Sequence, residues 1–213
     1  MNVLELFAGS RSIGKAFEEK GHNVLSVDWD ISLLDIDICI NVLELTPDMV
    51  LDKLNPIHVV WASPDCTTYS IASISKHRYY ENGNLLAKSE YAHICDNVNV
   101  YVHNLIMLLK PELWFIENPR GGMRKMNFMQ GLPRYTVTYC QYGDNRMKPT
   151  DIWTNHPNPN FKPPCKNGDP CHERTPRGSK CGTQRLKNAK ERSVIPNELC
   201  KHIVEICEGI INE

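Results

Sequence analysis

No run of 18 apolar residues occurs in this sequence, so no membrane-spanning helix is expected. The opening residues, Met-Asn-Val-Leu-Glu-Leu-Phe, have no basic region ahead of an apolar stretch, so no secretory signal is expected either. Heptads and internal repeats are missing, which excludes fibrous, coiled-coil and solenoid architectures. A regular cysteine framework is also lacking. The nine cysteines are odd in number, and six of them (Cys39, Cys66, Cys95, Cys140, Cys200, Cys207) are scattered through apolar or motif-like segments. That pattern excludes a small secreted disulfide scaffold and fits free thiols in a cytosolic compartment.

What remains is an ordinary globular composition: 213 residues, 41% hydrophobic and 23% charged, with a formal net charge of −1. The length predicts one domain with a small appendage. Charge is uneven along the chain. Residues 156–192 hold nine Lys/Arg and three acids, a local +6, and the remainder carries −7. This segment is rich in Pro, Gly and Asn and has no hydrophobic period. It reads as a solvated, mobile loop, as a polyanion-facing insert, or as both.

Apolar runs and helical periods alternate. Asn2–Leu6, Asn23–Val27, Ile57–Trp61 and Leu113–Ile116 read as buried strands, and Tyr135–Tyr139 alternates like a strand. Ser12–Lys20 reads as a helix stopped by Gly21, and Thr46-Pro47-Asp48 as a helix start. The stretch 62–86 reads as a polar loop. A long helix is predicted over 88–110, with Ile94, Val98, Val102, Leu105 and Leu109 on one face and Pro111 ending it. Leu199, Ile203, Ile206 and Ile210 space a last helix over Pro196–Ile211. Short apolar strands alternating with helices predict an α/β fold, a mainly parallel sheet covered on both faces. Ligands then sit at the carboxyl ends of the strands.

The chemistry-bearing residues follow the strands. After the first comes Phe7-Ala8-Gly9-Ser10-Arg11-Ser12-Ile13-Gly14, either a structural turn or a loop that receives an anionic group at a helix start. The second strand ends in Asp28-Trp29. Asp28 is either solvated or an acceptor for ribose hydroxyls, and Trp29 either stacks on a base or packs. After the third comes Pro64-Asp65-Cys66, in which Cys66 is an inert thiol or a nucleophile. After the next comes Glu117-Asn118-Pro119. Glu117 beside an apolar run either pairs with Arg120 or holds a raised pKa suited to a general acid.

Phe-Ala-Gly-Ser with Gly14, Pro64-Asp65-Cys66 and Glu117-Asn118-Pro119, in this order, resemble the DNA cytosine-5 methyltransferases. So do Tyr142-Gly143-Asp144-Asn145-Arg146-Met147-Lys148 and Arg192-Ser193-Val194-Ile195-Pro196. The resemblance covers residues 1–155 and 192–213. It implies a Rossmann-like S-adenosylmethionine-dependent methyltransferase fold with a catalytic core over 1–155. A short basic insert over 156–191 would stand in place of a target-recognition domain, and a returning helix would occupy 192–213.

The implied mechanism begins with addition of the Cys66 thiolate to carbon 6 of a flipped-out DNA cytosine. Protonated Glu117 would bond ring nitrogen 3, and Arg146 would hold the base. Carbon 5 would take the methyl of S-adenosylmethionine and then lose its proton. The cofactor site would comprise Phe7, Gly9, Ser10, Asp28, Trp29, Asn41 and Pro64. Lys148 falls where the family has a second arginine, at the nucleic-acid side. The stretch 67–86, with Lys76, His77 and Arg78, resembles a mobile loop that closes over the target. The sequence departs from the family pattern at Asp65, Thr67, Pro119, Asp144-Asn145 and Arg192-Ser193, as in a compact, phage-like branch. Cytoplasmic location in a bacterial or phage-infected cell follows from the resemblance.

The insert contains Cys165-x5-Cys171-His172-x8-Cys181, either unligated thiols or a structural zinc site. Zinc would order a polar segment that has no core of its own. Arg174, Arg177, Lys180 and Arg185 would then contact phosphates or guanine edges. Two other functions compete with DNA methylation. One is the same chemistry on RNA or a free cytidine nucleotide. The other is a catalytically silent nucleic-acid-binding subunit.

Overall fold

Period-two alternation in the apolar strands sends neighbouring side chains to opposite faces of a sheet, and both faces are buried. The computed structural model describes every residue except 177, 180–185, 187, 212 and 213. Its elements are β1 (Asn2–Leu6), α1 (Ser12–Glu19), β2 (Asn23–Asp28), β3 (Ile38–Cys39), α2 (Pro47–Leu51), β4 (Val59–Ala62), α3 (Ile74–His77), β5 (Arg78–Glu81), β6 (Asn84–Ala87), α4 (Glu90–Leu109), β7 (Leu113–Pro119), β8 (Arg134–Thr138), β9 (Pro149–Thr154), α5 (Ala189–Ser193) and α6 (Asn197–Ile211). The seven-stranded sheet has the order β3-β2-β1-β4-β7-β9-β8. The strands from β3 to β7 in this order pair in parallel, whereas β9 is antiparallel to both β7 and β8.

Leu4, Val60, Ala62, Trp114 and Ile116 pack on one face, against Val102, Leu105 and Ile106 of α4. Val3, Val59, Trp61, Leu113 and Phe115 pack on the other, against Ile13 and Phe17 of α1 and Leu199, Ile203 and Val204 of α6. Each such side chain contributes about 1.5–3 kcal/mol by leaving water. The parallel order reverses direction at β1, with β2 on one side and β4 on the other. A crevice opens there, at the carboxyl ends.

Three sequence expectations change. First, the polar stretch 62–86 holds α3 and the β5–β6 hairpin, turned at Asn82-Gly83 with both residues at positive φ. Arg78 is 3% exposed: it donates to both Asp96 carboxylate oxygens and the Thr68 carbonyl, and its guanidinium lies 4.1 Å from the Tyr69 ring centroid. His77 is also buried, with Nδ1 2.9 Å from Ser89 Oγ. The base of this segment is therefore anchored at His77 and Arg78, while Ile71, Lys76, Tyr79, Tyr80 and the hairpin tip are exposed.

Second, β9 lies in the sheet between β7 and β8, where the sequence reading placed no strand. It buries Asp151, which pairs with Arg124, and a buried acid disguises a strand as a loop. Third, the buried face of α4 runs through Cys95, Asn99, Val102, Ile106 and Leu109, while Ile94 is 46% exposed and Val98 half-buried. Ile94 and Val98 line a cavity, and Val98 also packs against the edge of the core.

Caps follow local chemistry. Thr46 Oγ1 accepts from the Met49 amide, with Pro47 as the first helical residue, as its sequence predicts. Ser89 Oγ accepts from the Ala92 amide and starts α4; Lys110, just before Pro111, ends it in the left-handed region. Among the described residues, no helix is long and apolar enough to cross a membrane.

Candidate active site

The turn after β1 is wound tightly. Phe7, Gly9 and Arg11 all have φ between 51° and 58°. For Phe7 and Arg11 the left-handed conformation costs roughly 1–2 kcal/mol each. Asp28, at the end of β2, holds the turn: its Oδ2 accepts the Gly9 amide at 2.9 Å and its Oδ1 the Asp30 amide at 3.0 Å. Each carboxylate oxygen keeps a second lone pair for a ligand hydroxyl. Behind the turn, a Cβ on Gly14 would lie 2.4 Å from Glu5 Oε2, so only glycine lets α1 rest against this acid. Glu5 is 2% exposed, and its Oε2 finds no hydrogen-bond partner. Burial pushes its pKa up to about 7.

Pro64-Asp65-Cys66 follows β4. The Pro64 carbonyl accepts from Asn118 Nδ2 at 2.9 Å, which ties this turn to the strand bearing Glu117. Asp65 accepts from the Thr67 amide and from the Tyr91 hydroxyl. The Cys66 carbonyl accepts from the Tyr69 and Ser70 amides, which curls the chain behind the thiol. Gly121 and Gly122 complete the turn: the Gly122 amide donates to the Tyr69 carbonyl at 2.7 Å, and a Cβ on Gly121 would sit 2.4 Å from that oxygen. Cys66 is half-buried. Burial, then the negative charges of Asp65 and Glu117, push its pKa up to about 11, while Lys148 acts the other way.

Glu117 is 6% exposed, and burial raises its pKa. The Tyr139 hydroxyl approaches its Oε1 at 3.4 Å. The cation that acts on it is Lys148; Arg120 is exposed. Lys148 Nζ donates to the Arg192 carbonyl at 2.7 Å and to the Tyr139 hydroxyl at 3.3 Å. Its backbone sits at φ 25°, a strained conformation of about 1–3 kcal/mol that its surroundings impose. Burial lowers its pKa, with Glu117 and Cys66 opposing. Arg146 is placed differently. Its guanidinium is clamped by Asp144, with the Glu191 and Val194 carbonyls at 3.4 and 3.5 Å. It does not line the cavity that Cys66 lines.

Two cavities meet at these turns. One, of about 350 Å³, is lined by Cys66, Glu117, Lys148 and Glu5, by Phe7, Gly9, Ser10 and Pro64, and by Arg192, Ser193 and Ile195. The other, of about 280 Å³, is lined by Asp28, Trp29, Ile40, Asn41, Val42, Ile94 and Val98. Phe7 and Asp65 belong to both. All seven residues expected at a cofactor thus line one or other of these two neighbouring cavities. Trp29 is 72% exposed at its rim, and Asn41 Oδ1 also caps a 3₁₀ turn by accepting the Leu43 amide. Sequence reasoning passed over Glu5 and Tyr139, and set Lys148 at a nucleic-acid surface although it is 3% exposed and faces Cys66's cavity. The period-two pattern was the available signal for Glu5, an acid at a buried strand position.

The insert is less free than its composition implies. Phe161 packs on the ring of Tyr135 and beside His202, and the Cys165 amide donates to Thr138 Oγ1 at 3.1 Å. Cys165, Cys171 and His172 converge as expected, and Cys140 from the turn after β8 joins them. Arg174 is exposed. Arg177, Lys180, Cys181 and Arg185 lie outside the described residues.

No protein-family model matches the sequence, and no curated protein matches it. Among solved structures, the chain is similar to an Escherichia coli protein encoded within prophage Cp and assigned as a DNA modification methyltransferase. The identity is 15% and the TM-score 0.52, over 72% of this chain and 46% of that one. It is also similar to the Entamoeba histolytica methyltransferase EhMeth, at 12% identity and a TM-score of 0.51, over 72% of this chain and 52% of that one. The chain thus spans about half the length of the solved structures it matches. At this identity the likeness is one of fold: a mostly parallel sheet with helices on both faces, of the Rossmann-like S-adenosylmethionine-dependent methyltransferase type.

Proposed function

We propose that this chain methylates carbon 5 of cytosine in DNA. The observation that carries the reading is the placement of a thiol, a buried acid and a buried ammonium (Cys66, Glu117 and Lys148) on one cavity that shares Phe7 and Asp65 with a second. The second cavity fits the adenosine part of S-adenosylmethionine: apolar walls at Ile40, Val42, Ile94 and Val98, the Asp28 carboxylate for hydroxyls, and Trp29 for a ring face. Glu5, whose buried Oε2 finds no hydrogen-bond partner, lines the first cavity and suits a cationic group. When bound, S-adenosylmethionine supplies an electrophilic methyl group.

The chain's own groups do the rest. Cys66, as thiolate, adds to carbon 6 of a cytosine turned out of its stack. Electron density then moves to carbon 5 and toward ring nitrogen 3. Glu117 keeps its proton because it is buried, and donates it toward that nitrogen. Lys148 balances the negative charge that develops between thiol and ring. After methylation, loss of the carbon 5 proton restores the double bond and expels Cys66. Arg146, held by Asp144, supports this wall from outside the cavity.

Transfer of labelled methyl to duplex DNA, RNA and dCMP, measured in parallel, tests the reading. Label on DNA cytosine is expected, with Cys66→Ala abolishing transfer while cofactor affinity stays within about threefold of the parent (~0.7 kcal/mol). Label on RNA or dCMP alone would replace the substrate, and label surviving in Cys66→Ala would remove the mechanism.

A further inference from the structure

We propose that Cys140, Cys165, Cys171 and His172 hold one structural Zn²⁺, which pins the segment after β9 to the turn after β8. This site stands independently of the methyl-transfer reading, since none of the four residues lines either cavity.

The four ligand atoms all lie within 4.8 Å of one another. Cys140 Sγ is 3.0 Å from Cys165 Sγ and 3.5 Å from Cys171 Sγ. His172 Nδ1 is 3.6 Å from Cys165 Sγ and 3.4 Å from Cys171 Sγ. Zn–S bonds of about 2.3 Å and Zn–N bonds of about 2.0–2.1 Å in a tetrahedron give edges of roughly 3.5–3.8 Å. The 3.4, 3.5 and 3.6 Å separations match these edges, and the 3.0 Å Cys140–Cys165 pair would open by about 0.8 Å on binding. A disulfide is a different geometry, with sulfurs about 2.05 Å apart, and these thiols are free. Three thiols and an imidazole select zinc over calcium or magnesium. Four protein ligands leave no open position, which marks a structural site.

The adjacent pair Cys171-His172 works because the ring presents Nδ1, the nitrogen nearer its own backbone. Gln141 Nε2 donates to Cys171 Sγ at 3.5 Å and orients it. On binding, the ion displaces three thiol protons, and the ring's remaining proton resides on Nε2. The Gly168 amide, 3.3 Å from that nitrogen at an exposed rim, then turns to water. Anchors already surround the site: the Cys165 amide on Thr138 Oγ1, and the Glu173 amide on the Asn145 carbonyl at 3.2 Å. The ion therefore bears on the turn carrying Asn145, Arg146 and Lys148.

The test is metal content of the whole chain, untagged and exposed to Zn²⁺ then dialysed, with Co²⁺ spectra as a second readout. One zinc per chain is expected in the parent and in Cys181→Ser, with thiolate-to-cobalt bands of a tetrahedral site. Cys140→Ser and Cys171→Ser should each weaken retention by more than about a hundredfold, beyond the roughly 10–100-fold that loss of an outer partner costs. Cys171 is half-buried, so its variant keeps the test valid if buried Cys140→Ser fails to fold, as circular dichroism would show. Absence of bound zinc and of tetrahedral cobalt bands in the parent would overturn the proposal. So would loss of metal in Cys181→Ser with full retention in folded Cys140→Ser or Cys171→Ser.

Discussion

Burial raises the proton affinity of three side chains around the first cavity, and the consequences differ. Glu5 moves from an ordinary 4.5 to about 7. The folded state thus binds this proton more tightly than the unfolded chain. Its stabilising contribution is full below about pH 4.5 and is lost as pH rises through 7. Glu5→Gln should therefore stabilise the ligand-free protein at pH 8 relative to the parent, by up to about 3 kcal/mol, and much less at pH 4. Urea unfolding at a series of pH values checks this; parallel curves would mean that Glu5 titrates normally. Cys66 and Glu117 form a pair whose reactive form carries one proton, on the acid. The same proton count holds when the proton sits on the thiol. Activity should consequently follow a bell. It falls on the acid side as a second proton joins the pair, at a pH above the usual carboxylate range because Glu117 is raised. It falls on the alkaline side toward about 11, where Cys66 loses the last one. A kcat/KM profile with its acid limb at an ordinary carboxylate pKa would contradict the burial argument.

At the scale of elements, turns packed on one another set the site. The Gly121-Gly122 turn after β7 touches the back of the Cys66 turn through the Tyr69 carbonyl. Gly121→Ala would drive a methyl into that oxygen and displace the thiol. Loss of kcat by at least about tenfold is expected, since small misplacements of reacting groups are costly, with a change in Tm of only a few degrees. Unchanged kcat would show that the two turns are not coupled. The same scale explains what was legible in the sequence. Four of the five parallel strands were readable because each holds an apolar run, and Cys66 and Glu117 because they follow such runs; β3, two residues with only Ile38 buried, left no pattern to read. The β5–β6 hairpin was not readable, because its strands are short and its buried members, Arg78 and Leu85, differ in kind; Asn82-Gly83 was its signal. β9 was hidden by Asp151, whose partner Arg124 lies 27 residues earlier.

For the whole molecule, the two neighbouring cavities depend on segments far apart in sequence. Glu5, Cys66, Glu117, Lys148 and Arg192 come from five separate segments, the last of them helix α5. Spacing gives no warning that Lys148 turns inward or that Cys140 meets Cys165; only the return of β9 between β7 and β8 brings them there. The Glu173 amide then ties the described part of the basic segment to the turn bearing Asn145. The central claim is that Cys66 bonds covalently to a cytosine. Its most direct test is duplex DNA carrying 5-fluorocytosine, incubated with the whole chain and S-adenosylmethionine. Fluorine at carbon 5 cannot leave as a proton does, so expulsion of the thiol is blocked. Mass spectrometry of the digested complex should find the methylated base attached to the peptide containing Cys66. Attachment at another cysteine, or no adduct under conditions where the protein methylates ordinary DNA, would contradict the account.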